Sequence, residues 1–150
     1  MALMEKKATE DASTLSLGAD FQNVRTLWNS EVAIILEHRI GIDHKDQSNV
    51  TPAQKIMQET LKYVQTFNNF ANKEAIQSAR EMLKTMPALK ASRESDDPKK
   101  KVDEFEISVI NNLGIDNVDE AEALIPSLKG KMEKEELSQL LEELKRYQKS

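Results

Sequence analysis

Residues 51–67 read Thr51-Pro52-Ala53-Gln54-Lys55-Ile56-Met57-Gln58-Glu59-Thr60-Leu61-Lys62-Tyr63-Val64-Gln65-Thr66-Phe67. The signals in this stretch point to a helix. Thr51 suits an N-cap, Pro52 the first helical position, and Gln54 can return a bond to the cap. Ala53, Ile56, Met57, Leu61, Val64 and Phe67 then recur at helical spacing. Phe70 and Ala71 close the run. Phe67 and Phe70, three apart, have the spacing of a base-stacking pair, but the apolar stripe above them favours core packing.

Working outward, Asn72 caps a third helix that places Ile76, Ala79, Met82, Leu83 and Met86 on one side and ends at Pro87. Residues 88–101 are dominated by charge and read as a solvated, mobile loop. A helix from about Asp103 is expected to bury Phe105, Val109, Ile110 and Leu113, with Gly114 as its left-handed end. Asn117 starts a short helix that Pro126 stops. A last helix spans about Glu133 to Gln148 on a stripe of Leu137, Leu140, Leu141, Leu144 and Tyr147. With no Ser or Asp near Met132, its start is expected to fray.

Upstream, a helix fits Ser30 to about Arg39. Trp28, Val32, Ile35 and Leu36 form its apolar face, Asn29 or Ser30 its cap, and Gly41 its stop. Residues 1–25 are polar, with scattered Leu15, Leu17, Phe21 and Val24. No internal repeat and no β-rich stretch is visible. The reading is all-α, about five packed helices led by an arm. Apolar anchors on a segment too polar to fold alone suit a partner-docking strand or wrap; the competing reading folds them back on their own helices.

At 150 residues and 17.0 kDa the chain matches one domain with ragged ends. Hydrophobic residues make up 39% and charged residues 31%, so parts of the chain are expected to stay unfolded. A formal charge of −5 makes it a poor stand-alone binder of nucleic acid. The longest apolar run, Val32 to Leu36, is far too short to span a membrane, and the first twenty residues lack the apolar centre of a secretory signal. With no cysteine, disulfides, thiolate metal sites and a cysteine nucleophile drop out.

The four glycines are isolated, which argues against a phosphate-cradling loop. His38 and His44 lack nearby carboxylates at metal-ligand spacing, and the serines lack a nucleophile elbow. Carboxylate pairs such as Glu135-Glu136 alternate with lysines, as solvated helix faces do. Lys99-Lys100-Lys101 reads as solvated and balanced by Asp96 and Asp97. No cofactor, metal or catalytic residue is expected.

Longer blocks carry a resemblance. Glu10-Asp11-Ala12-Ser13-Thr14-Leu15-Ser16-Leu17-Gly18-Ala19-Asp20-Phe21 resembles the opening of the family of fourth subunits of eukaryotic RNA polymerase II. So do Thr26-Leu27-Trp28-Asn29-Ser30-Glu31-Val32 and Ile35-Leu36-Glu37-His38-Arg39. Thr60 to Phe67 with Phe70 and Glu74 is similar to its helical core. The most specific block is Asp119-Glu120-Ala121-Glu122-Ala123-Leu124-Ile125-Pro126-Ser127-Leu128, followed by Glu135-Glu136-Leu137 and Leu140-Leu141. Together they cover nearly the whole chain in order.

The resemblance implies a bundle of five to six helices, HRDC-like and related to the archaeal F subunit, over residues 26–150. An extended, partner-wrapping arm covers 1–25, and a flexible charged loop covers 87–102. It implies a non-catalytic nuclear subunit that pairs with the seventh subunit in a stalk and meets the core enzyme through the clamp. That pair assists initiation and clamp closure and makes a weak or indirect contact with nascent RNA. No membrane is involved; fungal members are also linked to messenger RNA export and decay in the cytoplasm. The expected partner-binding residues are Leu15, Leu17, Phe21, Leu27, Val32, Leu124, Ile125, Pro126 and Leu128. Burying five such side chains is worth on the order of 10 kcal/mol gross, before ordering costs.

The chain departs from the family pattern by placing Asn68 and Asn69 between the two phenylalanines, where a basic residue is common. The stretch after Pro87 is also longer than usual. Two alternatives stay open: the paralogous stalk subunit of RNA polymerase III, and a free HRDC-like nucleic-acid-binding module with salt-sensitive RNA affinity.

Overall fold

The computed structural model describes residues 9–43 and 49–149. His44 and the first eight residues of the arm lie outside the described residues, as do positions 45–48 of the first loop. Seven α-helices occur among the described residues: α1 (Asn29–Asp43), α2 (Pro52–Thr66), α3 (Lys73–Thr85), α4 (Pro87–Glu94), α5 (Glu104–Leu113), α6 (Val118–Leu124) and α7 (Lys134–Tyr147). No strand is found among them, so the fold is all-α.

Most of the expected caps are in place. Thr51 accepts from the Gln54 N–H at 3.2 Å while the Gln54 side chain accepts from the Thr51 N–H at 2.8 Å. Asn72 and Asn117 cap α3 and α6, accepting from Ala75 N and Glu120 N. Asp103 and Glu106 make the reciprocal pair at the start of α5. Gly114 ends α5 at φ +62°, and a Cβ there would press on the Asn69 amide at 3.3 Å. The frayed start expected for the last helix is not seen: Glu136 reaches back to accept from the Glu133 N–H at 3.1 Å.

The core lies where α3, α5, α6 and α7 meet, with α7 packed on α3 and α6. Ile76, Ala79 and Leu83 face Leu137, Leu140, Leu141 and Leu144 within one buried cluster that also takes in Trp28 and Phe70. Glu106 is fully buried beside Lys131, whose ammonium lies 2.7 Å from its carboxylate. The Ser127 hydroxyl donates to the same oxygen at 2.6 Å. A buried carboxylate needs such partners.

Four local expectations are corrected. Residues 87–102, read as a charged loop with few core candidates, contain α4, whose Leu89 and Ser92 are buried. Pro87 pre-sets the first turn of this helix as it ends the one before. Ser92 then clips the return path, donating to Lys100 O at 2.9 Å and accepting from Val102 N at 2.7 Å. Gly41 does not stop α1, which runs on to Asp43; α1 packs along α2, and that contact supports helix past a weak former. The apolar face of α1 is also rotated: Trp28 is buried as expected, but Ala33 is buried in place of Ile35, which is exposed. On α5, Leu113 is exposed while Glu106, Ile107, Ile110 and Asn111 are buried, because the helix meets the arm at Thr26, Ser127 and Lys131 at Glu106, and the core through Ile107 and Ile110.

Candidate functional site

The arm is tied to the bundle at two points. The first is a closed loop in which Asp11 N donates to Ser16 O at 2.8 Å and Ser16 N donates to Asp11 O at 3.0 Å. Inside it the Asp11 carboxylate accepts from the Ser13 hydroxyl at 2.6 Å and the Ser13 N–H at 2.9 Å. Those bonds, the hydroxyl first, hold its carboxyl below the ordinary value of 3.8. The loop contains a 3-10 turn, Ala12–Thr14, and a left-handed residue, Leu15, so the arm here is folded rather than simply extended. It seats Ala12 and Ser13 at a small crevice of about 160 Å³ shared with Phe105, Val109, Leu124 and Pro126.

The second tie is Thr26. Its N–H donates to the Glu104 carboxylate at 3.1 Å, and its hydroxyl lies 2.6 Å from that of Ser108. Two residues on, Trp28 is sealed between Phe70, stacked at 5.2 Å, and the Arg80 guanidinium, 4.3 Å from the ring centroid. Arg80 is itself forked onto Glu31, its Nε donating at 3.2 Å and its Nη2 donating to the other carboxylate oxygen. Glu31 also accepts from the Trp28 N–H. The junction of arm and α1 is therefore fixed by buried chemistry.

Between the ties and just past the second, apolar side chains remain uncovered. Phe21 is 66% exposed, Val24 47% and Leu27 49%. Leu15, Leu17 and Val32 are half-buried. At the 124–128 turn the expected residues separate: Leu124 and Pro126 are exposed, whereas Ile125 and Leu128 are in the chain's own core and unavailable to a partner. The Ser127–Glu106 bond holds this turn in place. The structure thus brings Leu124 and Pro126 together with the arm loop, and leaves Phe21 uncovered between the ties and Leu27 uncovered just past the second.

The sequence reading missed a second surface. On α2 only Val64 is buried. Ile56 at 63%, Tyr63 at 59% and Phe67 at 51% stay in solvent, although Phe67 was expected in the core. Positions 56, 63 and 67 fall on one side of a helix, and the Tyr63 and Phe67 rings touch at 4.9 Å. The signal lay in the number of amphipathic stripes, more than one small core can absorb.

Asn68 and Asn69, the two departures from the family pattern, are structural. Asn68 accepts from the Ser30 hydroxyl and from Phe70 N; Asn69 donates to the carbonyls of Asn111 and Asn112 at 2.7 and 3.0 Å. Among the described residues no group of acidic or histidine side chains is placed to hold a metal ion, and His38 is exposed. No helix of the described residues is long and apolar enough to cross a membrane.

Residues 26–148 match the family model described as RNA polymerase Rpb4. The chain is similar to DNA-directed RNA polymerase II subunit rpb4 of Dictyostelium discoideum, 34% identical over 93% of this chain and 90% of the relative. It is similar to DNA-directed RNA polymerase II subunit 4 of Arabidopsis thaliana, 30% identical over 85% and 83% of the two chains. The Schizosaccharomyces pombe subunit rpb4 is 27% identical over 90% and 89%.

Proposed function

The chain belongs to the RNA polymerase Rpb4 family, and on that premise we propose that it is a non-catalytic stalk subunit of DNA-directed RNA polymerase II, acting in the nucleus. It pairs one-to-one with the seventh subunit, and the pair joins the core enzyme through the clamp. There it supports initiation, clamp closure and the handling of emerging RNA. Its role is mechanical: a firm helical bundle presents an apolar surface that a second polypeptide covers.

The observation that carries this reading is the uncovered apolar surface of the arm and α2, with Phe21, Val24 and Leu27 on one and Ile56, Tyr63 and Phe67 on the other. Exposed large apolar groups in such number mark a binding surface more often than a free face. Leu15, Leu17, Val32, Leu124 and Pro126 flank it, and the buried Ile125 and Leu128 brace the turn beneath. A net charge of −5 leaves most phosphate contact to the partner.

Co-expression with the seventh subunit from the same source tests the proposal. Gel filtration with light scattering should give a single peak of one-to-one mass. Replacing Phe21 and Leu27 by serine, or Tyr63 and Phe67 by serine, should loosen the complex while each chain stays folded. Two separate peaks from the unaltered proteins would overturn it.

A further inference from the structure

A cleft distinct from the apolar surface opens where the arm, α3, α4 and the start of α5 meet. It encloses about 310 Å³. Its floor is apolar, made by Leu83, Leu89, Val102 and Ile107, and its rim carries Arg25, Lys84 and Arg93. The chain as a whole is acidic, but residues 80–102 hold seven basic and four acidic side chains. The cleft lies in the basic part of an acidic protein.

The charges around it differ in how far they are engaged. Arg80 is forked onto Glu31. Asp103 accepts from the Phe105 N–H as the cap of α5, and Glu104 accepts from the Thr26 N–H. Lys84 makes only a loose, exposed contact with Glu81 at 3.5 Å. Among the described residues the guanidinium groups of Arg25 and Arg93 have no partner. Two unengaged forks and an ammonium at the mouth of one apolar-floored cleft match an oxyanion of more than unit charge set beside a greasy group.

We infer that this cleft docks a peptide bearing a phosphorylated serine or threonine next to an apolar residue. The phosphate, at about −1.5 to −2 charge near neutral pH, lies between Arg25, Lys84 and Arg93, and the neighbouring side chain fills the floor. Single-stranded nucleic acid fits less well, because it needs exposed aromatic faces for its bases. Trp28, the only aromatic residue at this cleft, is 1% exposed under Arg80.

The test is fluorescence anisotropy on the full chain with a labelled short peptide carrying one phosphoserine flanked by leucines. The unphosphorylated peptide and an oligouridylate serve as comparisons. The phosphopeptide should bind at least about tenfold more tightly than its serine form. Arg25→Gln combined with Arg93→Gln should weaken it by about tenfold, with the unfolding midpoint unchanged, and Lys62→Gln on α2 should leave it unaltered. Absence of phosphopeptide binding, equal binding of the serine peptide, or indifference to the double substitution each overturns the inference. Tighter binding of oligouridylate, lost in the same double variant, would assign the cleft to nucleic acid instead. None of these readouts involves the seventh subunit, so the proposed pairing stands or falls separately.

Discussion

Helices α2 and α7 carry the same kind of amphipathic stripe and meet opposite fates. On α7, Leu137, Leu140, Leu141 and Leu144 are buried against α3 and α6. On α2, Ile56, Tyr63 and Phe67 stay in water, and the helix leans chiefly on α1. Periodicity shows that a face is apolar; it does not say which molecule covers it. The C-terminal half completes itself, whereas the arm and α2 leave large apolar side chains in water.

Five expected outcomes break or sharpen that contrast. The largest effect belongs to the self-contained half. Lys131→Met leaves the Glu106 carboxylate buried without its counter-charge and should cost about 3–5 kcal/mol in denaturant unfolding. Adding Glu106→Leu should restore much of that loss. Leu140→Ala, at a fully buried position, should cost about 3 kcal/mol. Arg80→Ala strips one face of Trp28 and strands Glu31, and should cost about 2 kcal/mol with a shift in tryptophan emission.

On the uncovered half the same measurement should barely move. Tyr63→Ser with Phe67→Ser should change the stability of the isolated chain by no more than about 0.5 kcal/mol, yet weaken the proposed pairing with the seventh subunit. A large loss in the isolated chain would mean that α2 is covered from within and the contrast is mistaken. The smallest effect is local. The folded pKa of Asp11 is depressed, so the contribution of its loop is complete above the ordinary 3.8 and fades as the pH falls through the lower, folded value. The protection factors of the Ser13 and Ser16 amides, relative to an unstructured peptide, should therefore hold through neutral and mildly acidic conditions and fall only in stronger acid. Asp11→Asn should remove that dependence.

Elements with strong local chemistry were legible in the sequence. Thr51-Pro52-Ala53-Gln54, Asn72, Asp103, Gly114 and Asn117 each specify an end of a helix through bonds made within a few residues, and all appear in their expected places. What escaped depends on distant partners. The α4 segment looked like solvent because charge outweighs Leu89 and Ser92, whose roles emerge only when Lys100 and Val102 fold back. Nothing local marks Glu106 as buried, because Lys131 and Ser127, which neutralise and bond it, lie more than twenty positions away. Phe67 and Phe70 were read alike; the first is exposed, and the second is buried because it stacks on Trp28. For the candidate site, the apolar character of Phe21 and Leu27 on a polar segment is legible in the sequence, while the ties at Asp11 and Thr26 are not.

The lone tryptophan has a practical consequence. Trp28 sits where the arm enters the helices, screened from water by one aromatic ring and one guanidinium. A single indole stands at the joint between arm and bundle. Its colour and quenching report, without any label, whether that joint has been sprung by heat, by denaturant or by the arrival of a second protein.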